Sequence, residues 1–586
     1  MELTAGDFRW QISPECRERL IGPEGLRLQE WLESGQASIV KHGPHRTVYR
    51  VNLSGFHFHL KHHRLPNLRA WLRQLVRPPK ARMEYERALA LTARGIPTII
   101  PLGLGEECAR PGPGDSFLIT QTLADAEPLT TFILTTLPRF DRLRQALIRQ
   151  HLARELAKLL AQIHDAGIVH HDLHAGNILV CGETTGCVRL YLIDLHAVHV
   201  GRPLGWRSSR ENLIMFNRWF LTRASRADRL RFWRSYCRLR GRQGGLQMDS
   251  TGAAAPGWKQ VLDRLACDLE QRTWTSAVSF WRNRDRRCRA SNRYYKRVRG
   301  PAGFSTTVGY AVRDLDTTAL EKLLKDPDEP FRRPASPLLK DSPSSTVAEF
   351  DVLVNGTIRR VVYKRFRIKS WTVPWMSLVR PSKATRSWVL GQGLCERGLP
   401  TARPLAILQR RRVGLDCEGY LLTEKIENAV DLHDFLEYLR QLEPTRRRHV
   451  LRSRIDQLAQ LIQLLHLHQL GHRDLKAANI LLTGNDCPEG SPSGSDTEPR
   501  YWLIDLVGVT RHCSMSRRRR VQNLSRINAS FHADGSVTMT DRLRFLRRYL
   551  QWGVHGRGGW KTWWREIKQA TLDKVNRNLL TGRPLA

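Results

Sequence analysis

The chain has no uninterrupted run of the ~18 apolar residues that a membrane-spanning helix requires. Its 11 cysteines are scattered and form no Cys-x-x-Cys pair, so the sequence indicates neither a zinc site nor a disulfide framework. The opening MELTAGDFRW carries two acidic residues and no apolar core, which differs from a secretory signal. We therefore expect reduced thiols and a cytoplasmic protein that is soluble or peripheral to a membrane.

Acidic residues are scarce beside basic ones. The chain has 56 Asp and Glu against 95 Lys and Arg, which gives a formal net charge of +39. Such a charge favours a polyanion, either nucleic acid or an anionic membrane surface, although part of it can serve solubility alone. Basic and aromatic residues are interleaved in NRWFLTRASRADRLRFWRSYCRLRGR and RLRFLRRYLQW, a pattern typical of interfacial helices. Because neither half contains a recognised nucleic-acid-binding module, we expect an anionic membrane surface as the partner and no nucleic acid.

The sequence consists of two similar halves. The segment RGIPT, which begins at Arg94, recurs as RGLPT 303 residues later, and VHHDLHAGNILV, which begins at Val169, recurs as GHRDLKAANILL. Because matching segments follow one another in the same order, the sequence predicts two domains of one fold. A basic segment followed by a Pro-rich stretch places the boundary near residue 280, which gives domains 1–280 and 281–586.

The recurring loop resembles the catalytic loop of protein-kinase-like enzymes. Each copy has an aspartate, an asparagine five residues later and, after a strand-like run, a second aspartate; these residues are Asp172, Asn177 and Asp194, and Asp474, Asn479 and Asp505. In that pattern the first aspartate accepts or orients the proton of a substrate hydroxyl, while the asparagine and the second aspartate bind Mg²⁺. Any one of these aspartates alone is also compatible with a turn. The repetition of the complete set predicts a catalytic site in each half.

A strand lysine in each half is a candidate contact for nucleotide phosphates. Lys61 follows the alternating FHFHL, and Lys364 lies in the corresponding VVYK, 303 residues later. A helical stretch follows Lys61, and Glu84 on that stretch is a candidate partner for the lysine, with Glu86 as the alternative. Lys61, Glu84 and Lys364 are therefore predicted to take part in nucleotide binding.

The two predicted sites differ at the position of this glutamate. Ser387 aligns with Glu84, so the ion pair of Lys364 is either missing or supplied differently, for instance by Glu396 after a helix shift. A lysine held by a carboxylate is positioned in advance for phosphates, and we expect tighter nucleotide binding in the first half.

The sequence also departs from protein kinases. Neither half contains a Gly-x-Gly-x-x-Gly loop or the Ala-Pro-Glu segment that helps to dock an extended peptide, so a compact acceptor such as a sugar fits better. In the second half Lys476 follows the catalytic aspartate by two residues and is a candidate to neutralise the transferred phosphoryl group. His174 holds that position in the first half, where a neutral imidazole would do so less well.

These features together resemble the bacterial lipopolysaccharide core kinases, which phosphorylate heptose or Kdo sugars of the inner core. The resemblance rests on the strand lysines, the GIPT and GLPT turns, the His-x-Asp loops, the IDLH motif and the DRLRF segments, and it covers most of both halves. It implies an α+β fold of two tandem bilobal kinase-like domains, each with a small β-rich N-lobe and a larger helical C-lobe. It further implies ATP- and Mg²⁺-dependent transfer to a lipid-linked sugar at the cytoplasmic face of the inner membrane.

Two other classes of protein remain open from the sequence. A pseudokinase pair would keep the fold and bind a partner through its basic surface, but the complete Asp and Asn sets in both halves argue against it. A nucleic-acid-binding protein is favoured by the net charge alone.

Overall fold

The protein forms two compact units. The computed structural model describes residues 2–43, 45–65, 67–109, 112–182, 188–242, 258–301, 305–334, 336–367, 381–412, 415–484, 500–532, 534–551 and 559–582. The units are Met1–Ser276 and Ala277–Ala586, and helix Trp258–Asp285 runs across their boundary. The domain boundary predicted near residue 280 falls within this helix and stays a prediction.

The first unit begins with a seven-stranded antiparallel sheet. Its strands, in order across the sheet, are Glu2–Ala5, Phe8–Ile12, Pro101–Glu107, Ser116–Gln121, Phe56–His63, Arg46–Leu53 and Ala37–Lys41. Phe58 and Leu60 are fully buried on one face of the sheet. Because successive side chains of a strand point to opposite faces, Lys61 lies on the other face, towards helix Lys80–Ala93.

The rest of the first unit is mainly helical. The α-helices are Arg17–Leu20, Leu28–Glu33, Leu68–Val76, Lys80–Ala93, Leu129–Thr131, Arg142–Asp165, Trp206–Phe220, Arg226–Arg242 and Trp258–Asp285. Short strands Ala126–Pro128, Ile178–Cys181 and Arg189–Leu192 form one small sheet, and Ile168–His170 pairs with Val198–Val200. Leu152, Leu156, Leu160 and Ile163 recur at helical spacing and form the buried face of helix Arg142–Asp165.

The second unit repeats this arrangement. Its seven-stranded antiparallel sheet has the order Tyr295–Arg299, Ser305–Val312, Pro404–Arg412, Leu415–Glu424, Thr357–Phe366, Ser345–Val354 and Leu338–Ser342. The α-helices that follow helix Trp258–Asp285 are Thr317–Lys325, Lys383–Glu396, Leu432–Gln441, Pro444–Leu467, Arg517–Ser530, Met539–Leu550 and Trp560–Leu580. The small strands are Val430–Asp431, Ile480–Thr483 and Arg500–Leu503, with the pair Leu470–His472 and Val509–Arg511.

The predicted fold class is confirmed, because each unit has a β-rich lobe followed by a helical lobe with the catalytic-loop strands between helices. The interpretation of the basic, aromatic segments as interfacial helices is wrong for four of their aromatic residues. Phe220, Trp233, Tyr236 and Tyr549 are buried in the helical cores, where they pack against other apolar side chains. Within the described ranges, no helix is both long and apolar enough to cross a membrane.

Candidate active site

The loop of the first unit lies between strands Ile168–His170 and Ile178–Cys181. The buried His170 accepts a hydrogen bond at Nδ1 from the Asp172 backbone N–H at 3.1 Å. Burial lowers the pKa of His170 to about 4, so the ring is neutral at neutral pH and keeps its acceptor nitrogen. Asn177 Nδ2 donates to the backbone carbonyl of Asp172 at 2.9 Å. These bonds fix the loop, while the Asp172 carboxylate is 62% exposed and accessible to a substrate.

The second aspartate of the first unit, Asp194, has a left-handed backbone with φ of +62°. This conformation costs a non-glycine residue about 1 to 3 kcal/mol, and Asp505 in the second unit adopts it too, with φ of +52°. His196 Nδ1 lies 2.8 Å from Asp194 Oδ1, and this hydrogen bond holds the pKa of Asp194 well below its ordinary value. The Asp194 carboxylate is therefore ionised at neutral pH.

Lys61 and Glu84 form an ion pair in the first unit. Lys61 Nζ donates to Glu84 Oε1, and both side chains are largely buried. The alternative partner, Glu86, is exposed. The charge of Lys61 makes a further, smaller contribution to lowering the pKa of Asp194, so the lysine lies within electrostatic range of the second aspartate.

The loop of the second unit repeats the geometry of the first. His472 is buried, its Nδ1 accepts from the Asp474 backbone N–H at 3.1 Å, and burial lowers its pKa. Asn479 Nδ2 donates to the Asp474 carbonyl at 2.8 Å and also lies 3.2 Å from Asp474 Oδ2. Both units therefore hold an exposed aspartate and a buried asparagine side by side.

The strand lysine of the second unit has a different partner from Lys61. Lys364 Nζ donates to Asp505 Oδ1 at 2.9 Å, so the pairing carboxylate is the second aspartate itself. The suggestion that Glu396 reaches this lysine is wrong, because its carboxylate accepts from Arg284 Nε at 3.0 Å. Ser387 is buried, and its hydroxyl has no hydrogen-bond partner among the described residues.

His174 and Lys476 occupy the same position in the two loops, and both side chains are partly buried. His174 Nδ1 accepts from the Gly176 backbone N–H at 3.1 Å, while its Nε2 lies 3.7 Å from Asp172 Oδ2. The imidazole is thus adjacent to the first aspartate. Lys476 places a permanent positive charge on the corresponding loop.

A buried asparagine supports each loop from a neighbouring helix. Asn212 Nδ2 donates to the carbonyl of His170 at 2.9 Å. In the second unit Asn523 Oδ1 accepts from the backbone N–H of His472 at 2.7 Å. The two asparagines are 311 residues apart in matching segments, so the repeat already contained the signal for these positioning residues.

Two buried histidines join the long helices to the DRLRF helices. His164 Nδ1 lies 2.8 Å from the Tyr236 hydroxyl, and His466 Nδ1 lies 2.7 Å from the Tyr549 hydroxyl. Each pair connects the long helix that precedes the loop to the helix that contains the DRLRF segment, Arg226–Arg242 or Met539–Leu550.

One arginine near each loop was not identified from the sequence. Burial lowers the pKa of Arg218, and the nearby Asp172 opposes this effect; Arg526 has the same relation to Asp474. The two arginines come from matching helices but are not at equivalent positions, because the gapless alignment places Arg526 opposite Met215. Only the folded helices bring both guanidinium groups towards the first aspartates.

The donor atoms of the first unit fit Mg²⁺. Because Asn177 Nδ2 is bonded to the Asp172 carbonyl, its amide oxygen is the atom suited to a metal. The Asn177 backbone carbonyl accepts from the N–H of Ile193 at 2.9 Å, one residue before the ionised Asp194. Mg²⁺ prefers oxygen ligands and is often held by one or two carboxylates together with substrate phosphates and water. In the second unit Lys364 bonds to Asp505 and lowers the negative charge available to a cation. The described residues contain no group of three or more His, Cys, Asp or Glu suited to a metal ion.

The fold and the paired loops define a protein-kinase-like protein with two copies of the loop. The family model for the lipopolysaccharide kinase (Kdo/WaaP) family matches residues 31–236 and 365–549, about two thirds of the chain. The chain therefore belongs to this family, and the two matched segments confirm two tandem copies.

Curated relatives of the chain are named as sugar kinases. The 3-deoxy-D-manno-octulosonic acid kinase of Haemophilus influenzae is 34% identical over 156 residues, which cover 26% of this chain and 56% of the relative. The lipopolysaccharide core heptose(I) kinase WaaP of Pseudomonas aeruginosa is 28% identical over 165 residues, covering 27% of this chain and 59% of the relative. The chain thus spans a little over half the length of these relatives.

A solved structure described as WaaP in complex with acyl carrier protein is also similar. It is 23% identical, and the match covers 44% of this chain and 99% of that one, with a TM-score of 0.31.

Proposed function

We propose that the protein is a kinase that transfers the γ-phosphoryl group of ATP to a hydroxyl of a lipid-linked sugar, a heptose or Kdo of the lipopolysaccharide inner core. The observation that carries this proposal is the buried Lys61–Glu84 pair of the first unit, since the charge of its lysine also contributes to keeping Asp194 ionised. Membership of the lipopolysaccharide kinase family supports the sugar acceptor. The match covers only part of the relatives, so activity and acceptor are proposed for this chain as a whole.

The residues of each site have distinct roles in this proposal. Asp172 and Asp474 orient the acceptor hydroxyl and take its proton, and their exposed carboxylates are accessible for that purpose. Lys61 and Lys364 contact nucleotide phosphates, and Lys476 neutralises the group in transfer. The metal-binding pairs are Asn177 with Asp194 and Asn479 with Asp505. When bound, ATP would supply the phosphoryl group and Mg²⁺ would neutralise part of its negative charge.

We further propose that the two units contribute unequally. The first unit is the main nucleotide-binding site, because Lys61 is held by Glu84 and does not compete for Asp194 in a direct ion pair. The second unit must separate Lys364 from Asp505 before both can contact a metal-bound nucleotide. This ion pair also favours the alternative function for the second unit alone, a pseudokinase that binds a partner.

The proposed location is the cytoplasmic face of the inner membrane, where the protein is peripheral. The net charge of +39 supports attraction to anionic lipids, and the acceptor in this proposal is itself anchored in the membrane. The predicted domain limits, 1–280 and 281–586, serve as the proposed extents of the two kinase-like copies.

Mass spectrometry of core glycolipids incubated with the full chain, ATP and Mg²⁺ tests the proposal. We expect one added phosphate on a heptose or Kdo residue. The double variant Asp172→Asn/Asp474→Asn should lower the rate by ~10² to 10⁴ and still bind nucleotide, because it removes the base but not the nucleotide contacts. Each single variant identifies the unit that carries the activity. Turnover at the normal rate by the double variant would show that these aspartates have been wrongly assigned.

A further inference from the structure

The first unit carries a short amphipathic helix, Leu68–Val76, whose apolar face is exposed. Leu68, Leu72, Leu75 and Val76 are between 52% and 85% exposed. Their spacing of four, three and one residues places all four side chains on one face of the helix. Large apolar side chains that share one exposed face mark a contact surface for something outside the unit.

The helix is attached to the unit through a different face. Gln74 Nε2 donates to the carbonyl of Gly114 at 3.3 Å, and the indole of Trp71 lies against Gly112. A Cβ atom at Gly112 would come within 3.2 Å of Trp71 Cζ2, so the contact is close. Gln74 and Trp71 are one turn apart and partly buried, which fixes the orientation of the helix and leaves the leucine face outward.

The charge of the segment indicates what covers this face. The stretch LPNLRAWLRQLVRPPK, residues 65–80, contains four basic residues and no acidic one. Arg77 and Lys80 are exposed in the folded unit. An apolar face flanked by arginine and lysine is the composition of a helix that lies in the interface of an anionic membrane.

The position of the helix in the chain adds a link to the site. It follows strand Phe56–His63, which carries Lys61, and precedes helix Lys80–Ala93, which carries Glu84. The sequence LVRP at its end recurs 303 residues later, the interval that separates Lys61 from Lys364. Most of that second copy lies outside the described residues, so the inference rests on the first unit.

We propose that helix Leu68–Val76 docks the first unit on an anionic membrane surface, with its leucine face in the interface and the exposed Arg77 and Lys80, which follow the helix, on lipid phosphates. The inference deepens the proposed function by naming the element that contacts the membrane. It differs from the expectation that the basic, aromatic helices contact the membrane, since Phe220, Trp233, Tyr236 and Tyr549 on those helices are buried.

Vesicle flotation with the full chain tests this proposal. Phosphatidylcholine vesicles with and without phosphatidylglycerol serve as probes, at low and at high salt. We expect Leu72→Ser/Leu75→Ser to raise the lipid concentration for half-maximal binding at least ~10-fold, which corresponds to about 1.4 kcal/mol. Arg77→Glu/Lys80→Glu should weaken the preference for phosphatidylglycerol and the sensitivity to salt, because two basic residues beside the leucine face become acidic. The second variant also keeps the test valid if the first one folds poorly.

A matched control comes from the same unit. Leu143 and Leu147 are exposed leucines four residues apart on helix Arg142–Asp165, and Leu143→Ser/Leu147→Ser should float as the unaltered chain does. Flotation needs neither ATP nor an acceptor, so its outcome is separate from that of the kinase assay.

Three results would overturn the proposal: no flotation of the unaltered chain, equal flotation after Leu72→Ser/Leu75→Ser, or an equal loss in the Leu143→Ser/Leu147→Ser control. Light scattering distinguishes membrane contact from contact with a second copy of the chain. A molecular mass that falls to that of one chain after Leu72→Ser/Leu75→Ser would assign the face to a second copy of the chain and exclude the membrane.

Discussion

Replacing the strand lysine by methionine should destabilise the first unit much more than the second. In the first unit Glu84 is only 6% exposed, so Lys61→Met leaves a buried carboxylate without its cation. Loss of one partner from a buried pair costs about 3 to 5 kcal/mol. In the second unit Lys364 and Asp505 are 26% and 39% exposed, and a pair that water reaches contributes about 1 kcal/mol or less.

Hydrogen exchange of the full chain, followed by mass spectrometry, measures each unit separately. We expect Lys61→Met to increase exchange in strand Phe56–His63, while Lys364→Met leaves strand Thr357–Phe366 nearly unchanged. The double variant Lys61→Met/Glu84→Leu should restore protection, because an apolar pair of similar size replaces a buried ion pair at little cost. Ser387→Ala is the matched control, since its buried hydroxyl has no partner among the described residues.

ATP binding should also be affected more by Lys61→Met than by Lys364→Met. A hydrogen bond to a charged group contributes about 1.5 to 3 kcal/mol, so Lys61→Met should weaken ATP binding by the first unit ~10- to 100-fold. Lys364→Met should weaken binding by the second unit less, because Lys364 must first leave Asp505. In calorimetric titrations with Mg²⁺-ATP, the Lys364→Met chain should therefore retain the tighter site. Equal loss of protection in both units, or a tighter remaining site in Lys61→Met, would refute this reasoning.

Two further predictions concern contacts that support the sites. Arg397→Met removes the two-bond contact of Arg397 with Asp285, at 2.7 and 3.0 Å, and leaves a carboxylate that is 1% exposed with Arg511 as its remaining cationic partner among the described residues. It should lower the unfolding free energy of the second unit by about 3 kcal/mol, measured as an earlier transition in urea, and an unchanged transition would contradict the assigned pairing. Tyr236→Phe and Tyr549→Phe each remove a buried hydrogen bond to a histidine and should cost about 1 to 3 kcal/mol in the respective unit. We expect each variant to increase hydrogen exchange in the altered unit alone. Unchanged exchange in both units would contradict the prediction.

The repeat and the spacing of the loops were readable from the sequence because they depend on local geometry. Asp172 and Asn177 are five residues apart, a separation short enough for the Asn177 side chain to reach the Asp172 carbonyl within one loop. The same holds for Asp474 and Asn479. The alternating FHFHL likewise predicted the strand that carries Lys61, and the resemblance to the lipopolysaccharide core kinases implied the fold class, which is confirmed.

Contacts between distant segments were not readable in the same way. Lys364 and Asp505 are 141 residues apart, and the choice of Asp505 over Glu396 depends on how the second unit packs. Glu396 instead pairs with Arg284, and these two residues are 112 positions apart. No spacing rule applies at such separations, because only the tertiary structure decides which side chains share a site.

The same limit applies to the apolar faces of the helices. The basic, aromatic segments and helix Leu68–Val76 both contain apolar residues interspersed with charged ones. This periodicity indicates a helix with one apolar and one polar face. It does not tell whether the apolar face is covered. Packing of the helical core buries Tyr236, whereas no described element covers Leu72. The sequence determined the two kinase-like copies and their loops, and the tertiary structure decided the partner of each lysine and which apolar face stays exposed.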